Sequence, residues 1–257
     1  MRLLSVLFCC LCAGLLAWQA APLAQAHPDD EFCALAGDMA PPYCRALQAI
    51  DRGENPSTLS ARQVPDRSAS ETLRAYISIG YRHILPGGWD HILFVLALCF
   101  AAFAVRDLLW QVSMFTLAHT LTLGMVAAGI FAPDPGWVEP LIAITIAILA
   151  IEIMFFPALT RWRMALIFVF GLIHGMGFAG FFGTLGLPES QFWSALIGFN
   201  IGVEAGQIAV ILGALLLLWP LRMRLSSDRF HRFVALPACG VIGCMALVWT
   251  LQRVFGA

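Results

Sequence analysis

Six apolar runs, each near the ~20 residues an α-helix needs to cross a hydrocarbon core, constrain this chain more than any other feature. They fall at about 89 to 105, 109 to 131, 138 to 157, 164 to 184, 191 to 219 and 233 to 252. Lipid offers the backbone no hydrogen-bond partners, so such runs close their own bonds as helices. The expected fold class is all-α, a polytopic membrane bundle of six transmembrane helices. Composition agrees where it is decisive: 60% of the residues are hydrophobic and 12% charged, against roughly 25% charged in soluble domains. Every basic residue is Arg, and the formal net charge of −1 supplies no basic field for nucleic acid, which is excluded as a partner. The lipid bilayer is the expected surrounding.

The first part of the chain reads differently. Residues 1 to 26 combine Arg2, an apolar stretch from Leu3 to Trp18 and the ending Ala24-Gln25-Ala26, the pattern of a signal peptide cleaved before His27; an uncleaved first helix is the alternative. Residues 27 to 70 are polar, acidic and rich in Pro, an exported loop-rich segment. In an oxidising compartment its Cys33 and Cys44 are expected to form a disulfide, the rival reading being a pair of soft metal ligands. His27 would sit beside a free amino group after cleavage, a weak chelating pair or simply a solvated terminus. Ser70-Glu71 reads as a helix start, and the amphipathic stretch that follows, interrupted at Pro86-Gly87-Gly88, is expected to lie at the outer surface. The six-helix domain accounts for 71 to 257.

Arg residues orient the bundle, because inner loops retain basic charge. With the mature N-terminus outside, Arg106, Arg161, Arg163, Arg222, Arg224, Arg229 and Arg232 fall on the inner side, and the outer loops near Asp134 and Glu189 hold none. Beyond the first span, only Arg253 falls on the outer side. The expected location is a bacterial inner membrane, multi-pass, with a periplasmic N-terminus. Trp137, Trp193, Trp219 and Trp249 lie near helix ends, where their rings anchor at the interface.

Charged groups inside a bilayer cost about 2.5 to 3.5 kcal/mol on insertion scales, so they need partners and mark function. Candidates are His83, Asp90 and His91 around the first span, Thr116 and His119 in the second, and Glu139 and Glu152 in the third. His174 lies in the fourth, and Asn200, Glu204 and Gln207 in the fifth. At 100° per residue, Asn200, Glu204 and Gln207 share one face, while Gly198, Gly202 and Gly206 form a small-residue track on the other. Ser113, Thr116, His119 and Thr120 form a second polar stripe. Glycines 171, 175, 177 and 180 surround His174. Imidazoles with carboxylates favour a borderline transition metal, nickel, cobalt, zinc or copper; purely structural hydrogen bonding is the alternative.

These residues also carry a resemblance. His83-Ile84-Leu85-Pro86-Gly87-Gly88-Trp89-Asp90-His91-Ile92-Leu93-Phe94 is similar to the signature of the HupE/UreJ family, in its larger, signal-bearing branch. Further matches are the stretches 115 to 122, 138 to 143, 171 to 179 and 199 to 207, in the expected order over about 75 to 212. The resemblance implies handling of nickel or cobalt, and makes His83, Asp90 and His91 the counterpart of the family's His and Asp-His signature. Six residues separate His83 from Asp90 here, a wider spacing than in the smaller permeases.

The leading functional expectation is a secondary transporter and not an enzyme. Metal would pass His83, Asp90 and His91 at the outer edge, then reach a midplane site of His119, His174 and Glu204. Glu152 would serve the inner exit or accept a proton. No Walker A motif occurs, and without Lys none can. The runner-up is an intramembrane metal-dependent hydrolase, in which three ligands and an acid activate water on zinc. A third reading is a non-transporting metal-handling scaffold whose exported segment docks a metalloenzyme-maturation or periplasmic partner.

Overall fold

The computed structural model describes residues 68–101, 104–156, 158, 161–177 and 191–255. The signal peptide, nearly all of the exported segment with His27, Cys33 and Cys44, and the outer loop at Glu189 lie outside the described residues. Every described element is helical: α1 (Ala69–Ile84), α2 (Trp89–Ala101), α3 (Val105–Ala127), α4 (Pro135–Phe155), α5 (Arg161–Gly177), α6 (Phe192–Arg224), α7 (Ser227–Phe230), a π-helical turn (His231–Ala235) and α8 (Leu236–Phe255).

Local chemistry explains the helix starts. Ser68 caps α1: its hydroxyl accepts from the Glu71 backbone N–H at 3.3 Å, and the Glu71 carboxylate accepts from the Ser68 N–H at 2.9 Å, a reciprocal capping box. The helix thus starts at Ala69, one residue before the expected Ser70. Asp134 caps α4 through the Gly136 N–H at 2.9 Å, with Pro135 at the first helical position, where its missing N–H costs nothing. Pro86-Gly87-Gly88 ends α1, and α2 leaves it at a bend of 70°.

Among the described residues, three stretches are long and apolar enough to cross a membrane: Pro135–Phe155, Phe192–Arg224 and Ser227–Phe255. A fourth qualifies if the bent pair α1 and α2 counts as one span. Their outward faces are apolar. Leu216, Leu217 and Trp193 are exposed, which suits lipid and would be an aggregation surface in water. The apolar helices fit a multi-pass membrane protein. The first crossing, expected at 89 to 105, is corrected here: α2 alone has 13 residues, about 20 Å of rise, too short for a core of ~30 Å.

Nor is α1 a peripheral helix. It runs parallel to α6 along the glycine track: a Cβ on Gly198 would meet the Leu73 carbonyl at 2.6 Å, one on Gly202 the Tyr81 nitrogen at 2.7 Å, and one on Gly206 the Ile84 Cβ at 2.7 Å. Only hydrogen at these positions permits that approach. Gly171 does the same for α5 against α3, where a Cβ would meet the Phe115 carbonyl at 2.5 Å. The packed core, with Phe94, Leu98, Phe115, Ile146, Leu149 and Phe199 fully or almost fully buried, surrounds the imidazoles described next. Cys99 and Cys239 are buried free thiols and Cys244 an exposed one, as expected of cysteines within apolar helices.

Candidate metal centre

Four histidines from four helices meet inside the bundle. The His91 ring, at the start of α2, is their hub: its centroid lies 4.9 Å from His83 of α1, 5.3 Å from His174 of α5 and 6.0 Å from His119 of α3. The bend at 85–88 makes this possible, because it returns His91 to the level of His83 although seven residues separate them. The close α3–α5 packing at Gly171 and Gly175 brings in His119 and His174. All three contacts are edge-on. The histidines expected at the outer edge and those expected at the midplane therefore meet in one cluster, which Glu204 does not join.

Phenylalanines wall the cluster. Phe115 lies 5.0 Å from His174 and 5.7 Å from His91, Phe94 lies 6.0 Å from His174, and Phe199 lies 5.5 Å from His83. His119 is wholly buried, with His174 and His91 nearly so. Several buried polar atoms have no hydrogen-bond partner: Nε2 of His91, Nδ1 of His174 and Oδ1 of Asp90. The Asn200 side chain lies against His119, and its amide donates to the Leu196 carbonyl at 2.8 Å.

One tautomer follows from the hydrogen bonds. The Thr145 hydroxyl donates its single proton to the Ile142 carbonyl at 2.6 Å, so its oxygen must accept from His174 Nε2 at 3.0 Å. A neutral His174 then carries a bare lone pair on Nδ1, the state a metal ligand needs, with Thr145 as the outer partner that orients it. Sequence reasoning missed Thr145; its signal was a lone hydroxyl amid the apolar run of α4.

The other predicted residues stand elsewhere. Glu204 accepts from the Ser113 hydroxyl at 2.6 Å, and Gln207 accepts from Thr116 at 3.0 Å, forming a polar seam between α3 and α6. Asp90 pairs with Arg253 at 2.8 Å, and Glu152 with Arg163 at 2.6 Å. Glu139 contributes its backbone carbonyl to Arg253. Among the described residues no three His, Cys, Asp or Glu side chains stand ready-formed around one ion. Around a tetrahedral ion, metal–nitrogen distances of ~2.0–2.1 Å put every pair of ring centroids about 5 Å apart; His83 and His174 stand at 4.9 Å and 5.3 Å from His91, and His119 at 6.0 Å.

Fold and cluster together define a helical multi-pass membrane protein with a buried, multi-helix imidazole centre. The family model described as HupE / UreJ protein matches residues 60–253, a span that takes in α1 through almost all of α8. The chain belongs to the HupE/UreJ family, which is associated with nickel and cobalt uptake or handling. No curated protein and no solved structure matches it.

Proposed function

We propose that this chain carries a divalent transition metal, nickel or cobalt before zinc or copper, through the bacterial inner membrane, in six crossings with the mature N-terminus in the periplasm. The observation that carries the reading is the His91 hub: three further imidazoles on three other helices lie within ring contact of it, and Nε2 of His91 and Nδ1 of His174 are buried without a partner. A structural histidine would have both nitrogens satisfied, since an unpaired buried polar group costs about 1–3 kcal/mol. Imidazole nitrogen selects borderline metals over magnesium or calcium. His83, Asp90, His91, His119 and His174 form the proposed binding set, and Asn200 is its polar neighbour. Thr116, Gln207 and Glu204 continue a polar route between α3 and α6. A cargo must also leave, which favours ligands contributed by helices that can shift relative to one another.

Binding of NiCl2 and CoCl2 to the purified protein, together with isotope uptake into proteoliposomes, tests this. His91→Ala should weaken binding by more than about 100-fold, because loss of an outer-shell partner alone costs about 10–100-fold; Leu216→Ala, on the lipid face, should change nothing. A folded His91→Ala protein with intact affinity and uptake would sink the reading. Tight binding without uptake would favour the hydrolase or scaffold alternatives.

A further inference from the structure

Arg253, in the last turn of α8, reaches the imidazole cluster from outside the set of metal-ligand types. Its Nη2 donates to Asp90 Oδ2 at 2.8 Å and its Nη1 to the Glu139 carbonyl at 3.0 Å. The guanidinium carbon lies 5.8 Å from the Trp249 ring centroid. The guanidinium is also close enough to act electrostatically on His174. Asp90 is only half satisfied: Oδ1 is buried without a partner, and the next residue, His91, is the hub of the cluster. A pair serving structure alone would be expected to satisfy both carboxylate oxygens, because a buried orphan acceptor is costly.

We propose that Arg253 is a resident cation that holds Asp90 in place of the cargo and must swing aside when a divalent cation enters the cluster. The inference rests on the metal reading above. Two effects act in the same direction. The guanidinium occupies one of the carboxylate oxygens a metal would take, and its charge repels a dication approaching His91 and His174. Its tethers are releasable: the two side chains of the pair are 26% and 23% exposed, a setting in which an ion pair is partly screened and weak. Arg253 lies near the end of α8, so the side chain can move without unpacking the helix interior. The arrangement makes Arg253 a gate on Asp90, set against α4 by the Glu139 carbonyl.

Calorimetric titration of the purified full chain with NiCl2, or CoCl2 if only that binds, is the test. Arg253→Gln should bind about tenfold more tightly than the wild type, the scale of one charge-assisted contact removed. Most of that gain should vanish in Asp90→Asn/Arg253→Gln relative to Asp90→Asn. Wild-type affinity or weaker binding in a folded Arg253→Gln protein would overturn the gate. A second arm uses the unmodified chain, so it survives a variant that fails to fold: saturating metal should make Arg253 several-fold more reactive to phenylglyoxal, followed by mass mapping. Unchanged or slower modification of Arg253 would overturn the gate while leaving metal binding intact. A wild-type protein that binds neither metal would overturn the metal reading and the gate with it.

Discussion

Arg163 is the bulkiest fully buried side chain among the described residues. Its Nε donates to Glu152 at 2.6 Å, with side-chain exposures of 0% and 10%, and its Nη2 donates to the Phe156 carbonyl. Desolvating two such charges is expensive, so the pair stabilises the protein little compared with an apolar pair, but removing one partner strands the other. Glu152→Ala should therefore cost about 3–5 kcal/mol of stability, whereas Glu152→Leu together with Arg163→Met should cost much less. Thermal unfolding in detergent checks this, and equal losses in the single and double variants would contradict it. The sequence placed Arg163 in an inner loop and left Glu152 open as a proton acceptor or exit ligand. Neither reading could see the pairing, because a cluster of Arg marks where a loop lies but not where the next helix starts. That helix begins at Arg161, which turns Arg161 and Trp162 outward and Arg163 inward. The same limit applies to Arg253, legible only as the one Arg beyond the first span on the outer side, with no indication that Asp90 was its partner.

Glycine spacing decides the packing of the longest helix. The 100° arithmetic assigned Gly198, Gly202 and Gly206 to one face of α6 and Asn200, Glu204 and Gln207 to another. The structure seats the glycine face on α1 and turns Gln207 and Glu204 towards Thr116 and Ser113 of α3. The identity of the partner was not legible. α1 carries Glu71, Arg74 and Arg82 on its exposed side, so its sequence reads as an interfacial helix; its buried stripe of Tyr76, Ile79, Gly80 and Ile84 acquires meaning only against α6. A methyl group separates the two uses of glycine in α6. Gly202→Ala would drive Cβ into the backbone of α1 and should lower stability by about 1–3 kcal/mol, the usual cost of overpacking. Gly213 has nothing within 4 Å of its Cβ position, so Gly213→Ala should be neutral or stabilising by up to about 1 kcal/mol through helix propensity. Unfolding midpoints of the two variants measure the contrast; a Gly202→Ala protein as stable as Gly213→Ala would mean that α1 is not held as described.

Direction is the property that ties the helices into one molecule. α3 and α5 run parallel, since Gly171 faces Phe115 and Gly175 faces Thr122. α4 opposes α5, with His174 beside Thr145 and Arg163 beside Glu152. α8 opposes α4, with Gly243 near Ala150 and Arg253 at Glu139. α6 opposes α3, because Gly124 faces Leu196 while Thr116 meets Gln207. α1 runs with α6, and hence against α3. The start of α1 therefore lies on the side where α3 ends. The end of α2 leads within a few residues to the start of α3, and 23 residues of α3 rise about 35 Å. A re-entrant pair, which returns to its own side, could not make that connection, so these directions support α1 and α2 as a single broken crossing. The apolar helices were legible from run length; the bounds of the first were not, because Pro86-Gly87-Gly88 divides it and its first half is amphipathic. Broken helices at membrane depth are tolerated where they line a buried polar site, and this break carries His83 and His91. Reporter fusions should accordingly read Ser68 and Asp134 as periplasmic, and Arg106 and Ser227 as cytoplasmic. The decisive position is Arg106: a periplasmic signal there, with Ser68 also periplasmic, would make the bent pair re-entrant and overturn the six-crossing arrangement.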